Sequence, residues 1–240
     1  MAIEVFNRQE LKFVISQAQH EAILPTIRKH MRLDRHNLNG KTYRLYNLYI
    51  DTADRALIRH SMSKPTIYKE KIRIRSYQPL TPNSLVFLEV KKRYKKITNK
   101  RRTLLTFDEA LEFVEIGTPP ILQDYMNPQV VSEFAVILER QHYRPTAYIN
   151  YDRMAFHALD EASDLRITFD ANLISRSYGN DSLHRLLDKD AFIMEVKSIN
   201  NIPLWLAELL DARCVYKQSF SKYGTEHART LQTNKELVYA

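Results

Sequence analysis

The chain has 240 residues, enough for one large domain or two small ones with a sizeable core. Its hydrophobic share of 44% and charged share of 27% are ordinary for a globular protein, and only four glycines leave little room for glycine-rich phosphate loops or low-complexity linkers. The formal net charge of +8 asks for an anionic partner (nucleic acid, anionic lipid or a polyphosphate-type substrate), while the single cysteine, Cys214, excludes an intramolecular disulfide and most zinc patterns.

In chain order, EVFNRQELKFVIS alternates as a strand, and Ser16 is the expected N-cap of a helix over QAQHEAILPTIRKHMRL, which Pro25 ends or bends. YRLYNLYID is a Tyr- and Leu-rich strand, followed by a short helix or turn in DTADRALIRHSMS capped at Asp51 or Thr52. KEKIRIRSY and SLVFLEVKKRYKKI form two strands around the turn signal QPLTPN, and TNKRRTLLTF a third. DEALEFVEIG and PPILQDYMNPQVVSEFAVILERQH have helical spacing with Pro and Asn breaks. Strands resume at RPTAYINYDRMAFHAL, LRITFDANLISRS and AFIMEVKSI, before the helices PLWLAELLDA and FSKYGTEHARTLQ. About eight strands joined by hairpins or short helices predict an antiparallel sheet or barrel with helices outside it, an α+β protein. The N-terminus shows no signal-peptide pattern, and no apolar run approaches the roughly 18 residues of a spanning helix.

The charged strands share one design. Lys69, Lys71, Arg73 and Arg75 alternate along one strand and so share a face. Glu-x-Lys recurs as Glu10/Lys12, Glu89/Lys91 and Glu195/Lys197, each pair opposite apolar neighbours. Any one such strand is most simply half exposed, its charges solvated. Across several strands, however, the polar positions are mostly Lys, Arg and Glu rather than Ser, Thr or Gln. If the sheet curls, these faces converge, and a cationic interior needs a polyanion to offset repulsion and desolvation. The carboxylates would act through a divalent metal that bridges phosphate oxygens.

The ordered set ELKFVIS, LYIDT, KEKIRIRSY, FLEVKKR, KRR, YDRMAF, LRITFD, IMEVKS and SFSKY, from residue 10 to residue 223, resembles the triphosphate tunnel metalloenzymes (the CYTH-like group). More closely, it resembles the catalytic domain of the VTC family of polyphosphate polymerases. The resemblance implies a closed antiparallel eight-stranded β-barrel with flanking helices, spanning residues 1–240 as one VTC-like domain. It implies transfer of the ATP γ-phosphate to a growing polyphosphate chain inside a basic tunnel, with Mn²⁺ or Mg²⁺ as cofactor.

By motif, Arg73, Arg75, Lys91, Arg166 and Lys222 are the expected catalytic phosphate ligands. Lys12, Lys100 and Arg153 bind further phosphates, and Tyr151 and Ser221 add hydroxyls. Lys71, Arg102 and Lys197 line the tunnel on spacing. Glu195 holds the metal, with Glu89 and Glu10 as further candidates. Ser219 departs from the family pattern, standing where a basic residue is common. The expected partners are ATP and polyphosphate or tripolyphosphate, in a cytoplasmic setting that leaves a membrane partner open. The same ligand set would serve a tripolyphosphatase or nucleoside triphosphatase, or a module that only binds polyphosphate or nucleotide. Nucleic-acid binding through KKRYKKITNKRR ranks below these. The eight scattered histidines form no metal spacing, Trp205 is expected to pack a helix onto the barrel, and Cys214 is expected to be inert.

Overall fold

The computed structural model describes residues 5–6, 9–37, 40–95, 97–160, 163–199 and 201–238, with side chains for all of these except 5–6 and 233–238. Residues 4, 7 and 8 of the expected first strand and Lys96 of the basic run lie outside the described residues.

The strands are β1 (Val5–Phe6), β2 (Gln9–Ser16), β3 (Met31–Leu33), β4 (Tyr43–Thr52), β5 (Tyr68–Ser76), β6 (Leu85–Tyr94), β7 (Ile97–Thr106), β8 (Tyr143–Ala158), β9 (Arg166–Ser177), β10 (His184–Arg185) and β11 (Ala191–Ser198). The helices are α1 (Gln17–His30), α2 (Ala56–Met62), α3 (Phe107–Ile116), α4 (Pro128–Glu139), α5 (Leu204–Ala212) and α6 (Lys222–Val238).

Among the described residues, all eleven strands belong to one antiparallel sheet with the order β1-β7-β6-β5-β4-β8-β9-β11-β2, while β10 pairs β9 and β3 pairs β8. The closed eight-stranded barrel is therefore corrected: the ladder has two ends, β1 and β2, and no hydrogen-bonded pairing is found between them among the described residues. Both ends come from the same N-terminal stretch, β1 on the edge of β7 and β2 on the edge of β11. Twist and curl bring the two halves of the sheet face to face without a continuous ring of hydrogen bonds. The Lys91 Nζ, on β6, reaches Glu10 Oε2, on β2, at 3.3 Å across the concave side.

The period-2 pattern explains the layers. One face of β4–β7 gives Leu48, Ile50, Ile72, Ile74, Val86, Leu88, Val90 and Leu105 to a core against α3 and α4, where Phe113 and Phe134 are fully buried. The outer face of β2, β8, β9 and β11 gives Phe13, Ile15, Phe156, Ile167, Phe169, Met194 and Val196 to a second core against α1 and α5. Each such side chain stabilises the fold by roughly 1.5–3 kcal/mol on burial. A third cluster lies on the concave side, where Leu45, Tyr49, Ile149, Tyr151, Leu173 and Ile193 meet Ile58 of α2 and Tyr223 of α6. Trp205 is half-buried against the second core and stacks on His30 at 4.3 Å, as the packing role required.

Local chemistry fixes the helix ends. Ser16 and Gln19 form the capping box of α1, and Thr106 and Glu109 that of α3, whose C-cap Gly117 takes φ 82°, a left-handed turn that favours glycine. Asp51 and Thr52 do cap α2, although the helix begins after Arg55. Thr52 Oγ1 accepts from Ala56 N at 2.8 Å, and the Asp51 carboxylate accepts from Leu57 N at 2.9 Å and Ile58 N at 3.1 Å. Two helical expectations are corrected. The stretch before Asn127 is not helical, because Asn127 caps α4 with Pro128 at its start. The helix expected to run through Leu33 ends at His30, with Pro25 inside it, and Met31–Leu33 leave it to pair with β8.

Candidate functional site

The concave face gathers the alternating charges, and the register explains their pattern. β2 and β11 run antiparallel with Glu195 opposite Lys12 and Lys197 opposite Glu10. Two antiparallel Glu-x-Lys pairs thus make a checkerboard in which each carboxylate faces an ammonium. Lys12 Nζ lies 3.1 Å from Glu10 Oε1 and 3.5 Å from Glu195 Oε1, and Lys197 Nζ lies 3.5 Å from Glu195 Oε2. Lys222, at the start of α6, joins the group at 3.4 Å from Glu195 and 2.6 Å from Asp170. Arg153 holds Asp170 with two bonds, Nε to Oδ1 at 2.6 Å and Nη2 to Oδ2 at 2.7 Å. A fork of this kind is the strong geometry for guanidinium and carboxylate.

A second group centres on buried Glu89. Arg73 Nη2 approaches it at 2.7 Å, Lys100 Nζ at 2.6 Å and Arg75 Nε at 4.0 Å. Arg75 is itself buried, donating to Asn47 Oδ1 at 2.9 Å and to the Tyr151 hydroxyl at 3.0 Å. Arg102 swings instead over the Phe87 ring, 4.4 Å from its centroid.

Across β5, β6 and β7 the register sets three lysines side by side. Lys71 of β5 faces Lys91 of β6, and Lys91 faces Lys100 of β7. Like charges directly opposite destabilise a sheet. Their heads diverge to what is available: Lys71 Nζ to Ser221 Oγ at 3.0 Å, Lys91 to Glu10, and Lys100 to Glu89. Ser221 also accepts from Gly224 N at 3.1 Å, and a Cβ at Gly224 would press on Ser221 at 3.1 Å, so glycine keeps this corner open.

Nine cations, Lys12, Lys71, Arg73, Arg75, Lys91, Lys100, Arg153, Lys197 and Lys222, thus line this face with the four carboxylates of Glu10, Glu89, Asp170 and Glu195. The imbalance shows in the proton affinities. Burial, helped by the charges of Lys12 and Lys91, lowers Lys71 to about 8. Burial lowers Lys100 to about 7; Glu89 opposes the shift, and the charges of Arg73 and Arg75 add to it. Burial would raise Glu10, but Lys91 and Lys197 override it and hold the carboxyl down at about 2. Burial is likewise outweighed by neighbouring cations at Glu89 and Glu195, whose carboxyls lie well below the usual range.

The structure brings Lys12, Lys71, Arg73, Arg75, Lys91, Lys100, Tyr151, Arg153, Glu195, Lys197, Ser221 and Lys222 into these contacts, as the motifs and spacing imply. Arg166 lies opposite Lys197 in the β9–β11 register but turns to a different carboxylate. Its Nη2 pairs with Asp34 at 3.2 Å, Asp34 also meets His157 at 3.0 Å, and among the described residues the Arg166 Nε has no hydrogen-bond partner. Sequence reasoning passed over Asp170, Asn47 and Asp34. Asp170 carried a readable signal, since it shares the polar face of LRITFD with Arg166 and Thr168.

A divalent metal is tested by the donor set. Among the described residues, no three acidic, His or Cys side chains converge to hold an ion. Glu89 is taken up by three cations. Glu10 and Glu195 remain, hard oxygen donors on adjacent strands that share Lys12 and Lys197. One or two carboxylates fit Mg²⁺ or Mn²⁺ that is bound mainly through substrate phosphates, and do not fit a cage made by protein alone. When bound, such an ion would supply charge neutralisation on phosphate oxygens.

Fold and lining together define an α+β protein whose curled antiparallel sheet encloses a cationic, carboxylate-studded face. The VTC domain family model matches residues 7–231, and the chain belongs to that family. Two solved structures share its fold. One is a candidate adenylate cyclase from Bacillus halodurans, 12% identical, TM-score 0.51, covering 90% of this chain and 96% of that one. The other is a candidate adenylyl cyclase from Hippeastrum with a dominant triphosphatase activity, 16% identical, TM-score 0.52, covering 94% of this chain and 96% of that one. A search of the curated proteins returns no match. Among the described residues, no helix is long and apolar enough to cross a membrane.

Proposed function

We propose that the chain is an ATP-dependent polyphosphate polymerase-like enzyme acting as one domain over residues 1–240. The bond between the γ-phosphorus and the β–γ bridging oxygen breaks, a terminal oxygen of polyphosphate bonds to that phosphorus, and ADP leaves. The observation that carries this reading is the Lys71–Lys91–Lys100 row, three facing cations that a string of phosphates would compensate. Phosphoryl transfer needs positioning and charge stabilisation more than covalent help from the protein. Arg73, Arg75, Lys91 and Lys222 would grip the transferring phosphoryl, preorganised by Glu89, Asn47, Tyr151, Glu10 and Asp170. Lys12, Lys71, Lys100, Arg153, Lys197, Tyr151 and Ser221 would bind flanking phosphates. Arg166 and Arg102 would serve at the margins, and Glu195 with Glu10 would hold Mn²⁺ or Mg²⁺ against the chain.

A second reading is a triphosphatase, in which water replaces the phosphate acceptor; the dominant triphosphatase activity of the Hippeastrum protein favours it. Purified protein with ATP and Mn²⁺ decides between them. Long-chain polyphosphate on a gel, absent from Arg75→Ala and Glu195→Ala, supports the polymerase. Phosphate release without chain growth assigns the triphosphatase. Tight polyphosphate binding without turnover leaves a binding module. Protein that binds no phosphate chain overturns all three. A cytoplasmic location is part of the same proposal.

A further inference from the structure

Beyond Arg75 the concave face changes character. The inward positions become Tyr43 on β4 (past Leu45), Tyr77 (one residue past the end of β5) and Phe87 on β6, on the faces that carry Asn47, Arg75 and Glu89. The rings gather: Tyr43 and Tyr77 at 6.0 Å, Tyr77 and Phe87 at 6.3 Å. His36, from the turn after β3, lies nearly parallel to Tyr77 at 5.6 Å, with an interplanar angle of 26°. A cluster made only for stability would be buried, yet Tyr77 is 42% exposed and His36 is exposed. Arg102, whose guanidinium covers Phe87, stands between these rings and the Arg73/Glu89 group.

The order along this face is thus lysine row, arginine pair, one further guanidinium, then open aromatic rings. That is the order of a nucleoside triphosphate: phosphates, the sugar-proximal phosphate, then a flat base. Bases stack on aromatic side chains through their π-faces, and an exposed Tyr–His pair offers such a platform. We propose that Tyr77, with His36 and Tyr43, forms a nucleobase platform at the mouth of the cationic face. These rings hold the base of the ATP donor. The inference rests on the phosphate-chain reading of the interior and names the part of the substrate outside it.

The test is to titrate ATP and tripolyphosphate separately into the wild-type chain and into Tyr77→Ala, Tyr77→Phe and His36→Ala. Loss of a base stack costs ATP affinity roughly tenfold in Tyr77→Ala. Tripolyphosphate affinity stays within about twofold, which also shows that the variant is folded, and Tyr77→Phe retains ATP binding. A smaller, ATP-selective loss in His36→Ala adds support. Equal losses for both ligands, or none for either, overturn the platform while leaving the interior's phosphate binding standing. Wild-type protein that binds neither ligand overturns the phosphate reading and the platform with it.

Discussion

Burial and neighbouring cations hold Lys100 at about 7 and Lys71 at about 8. Both lie below the ordinary lysine value of about 10.4, so the free folded protein holds fewer protons than the unfolded chain between about pH 7 and about pH 10.4. Stability from these two groups therefore rises with pH through that window. A bound polyanion reverses the preference by favouring both ammonium forms. Polyphosphate affinity is expected to fall as pH rises from 6.5 to 9, with proton uptake on binding at pH 8. Calorimetry in two buffers of different ionisation enthalpy checks this, and Lys100→Met should flatten the dependence near pH 7. Glu89 is the complementary case. Its removal as Glu89→Gln leaves Arg73, Arg75 and Lys100 facing one another in a buried site, at a cost of about 3 kcal/mol or more. Added polyphosphate should restore part of that loss in a urea titration, because it brings the missing negative charge. On the acid side the depressed carboxyls act together. Their contribution is present above about pH 4.3; that of Glu10 is lost as pH falls toward about 2, while Glu89 and Glu195, held lower, keep theirs to more acid pH.

At the level of elements, the helices and the strands divide the work. α3 and α4 cover the convex side, so their caps govern stability without touching the cationic face. Thr106→Ala removes one capping-box bond and is expected to cost about 1 kcal/mol, lowering Tm by about 2–4 °C. Polyphosphate affinity should not change, and parallel melting and binding curves would show whether the layers are separable in this way. α6 is different, because its first residues belong to the concave side. Tyr223 donates to Asp51 at 3.1 Å and stacks on Tyr49, fixing the helix start that presents Ser221 and Lys222. The capping chemistry of α2, through Asp51, and the placement of Lys222 are therefore joined in one buried carboxylate.

For the whole molecule, charge and shape are coupled. A ligand that binds only the curled sheet stabilises it by about 2.7 kcal/mol at a hundredfold excess over Kd, which corresponds to about 5–10 °C in Tm. Tripolyphosphate should produce this upward shift, and it should shrink steeply with added salt as screening weakens the contacts. The layered α+β architecture was legible in the sequence because period-2 strands and capped helices are local signals. So was most of the lining, because Glu10, Lys12, Lys71, Arg73, Arg75, Lys91, Glu195 and Lys197 announce their faces by alternation. Closure was not legible: whether β1 and β2 complete a ring depends on strand tilt and long-range pairing, which no short window contains. Nor was the neutralisation of Arg166 by Asp34, whose positions are 132 residues apart, or the pairing that turns two Glu-x-Lys motifs into a checkerboard.

That checkerboard also acts on the folding chain before any ligand arrives. A one-residue slip of β2 against β11 would turn Phe13 and Ile15 out of the second core, so hydrophobic burial forbids it. A two-residue slip keeps the same faces and would escape that check. In one direction, however, it sets Glu195 against Glu10, and in the other Lys197 against Lys12, as the observed pairing of Glu195 with Lys12 and Lys197 with Glu10 requires. The alternating charges therefore work as a reading frame for the sheet. The residues that resemble a catalytic signature are also an instruction for assembling it.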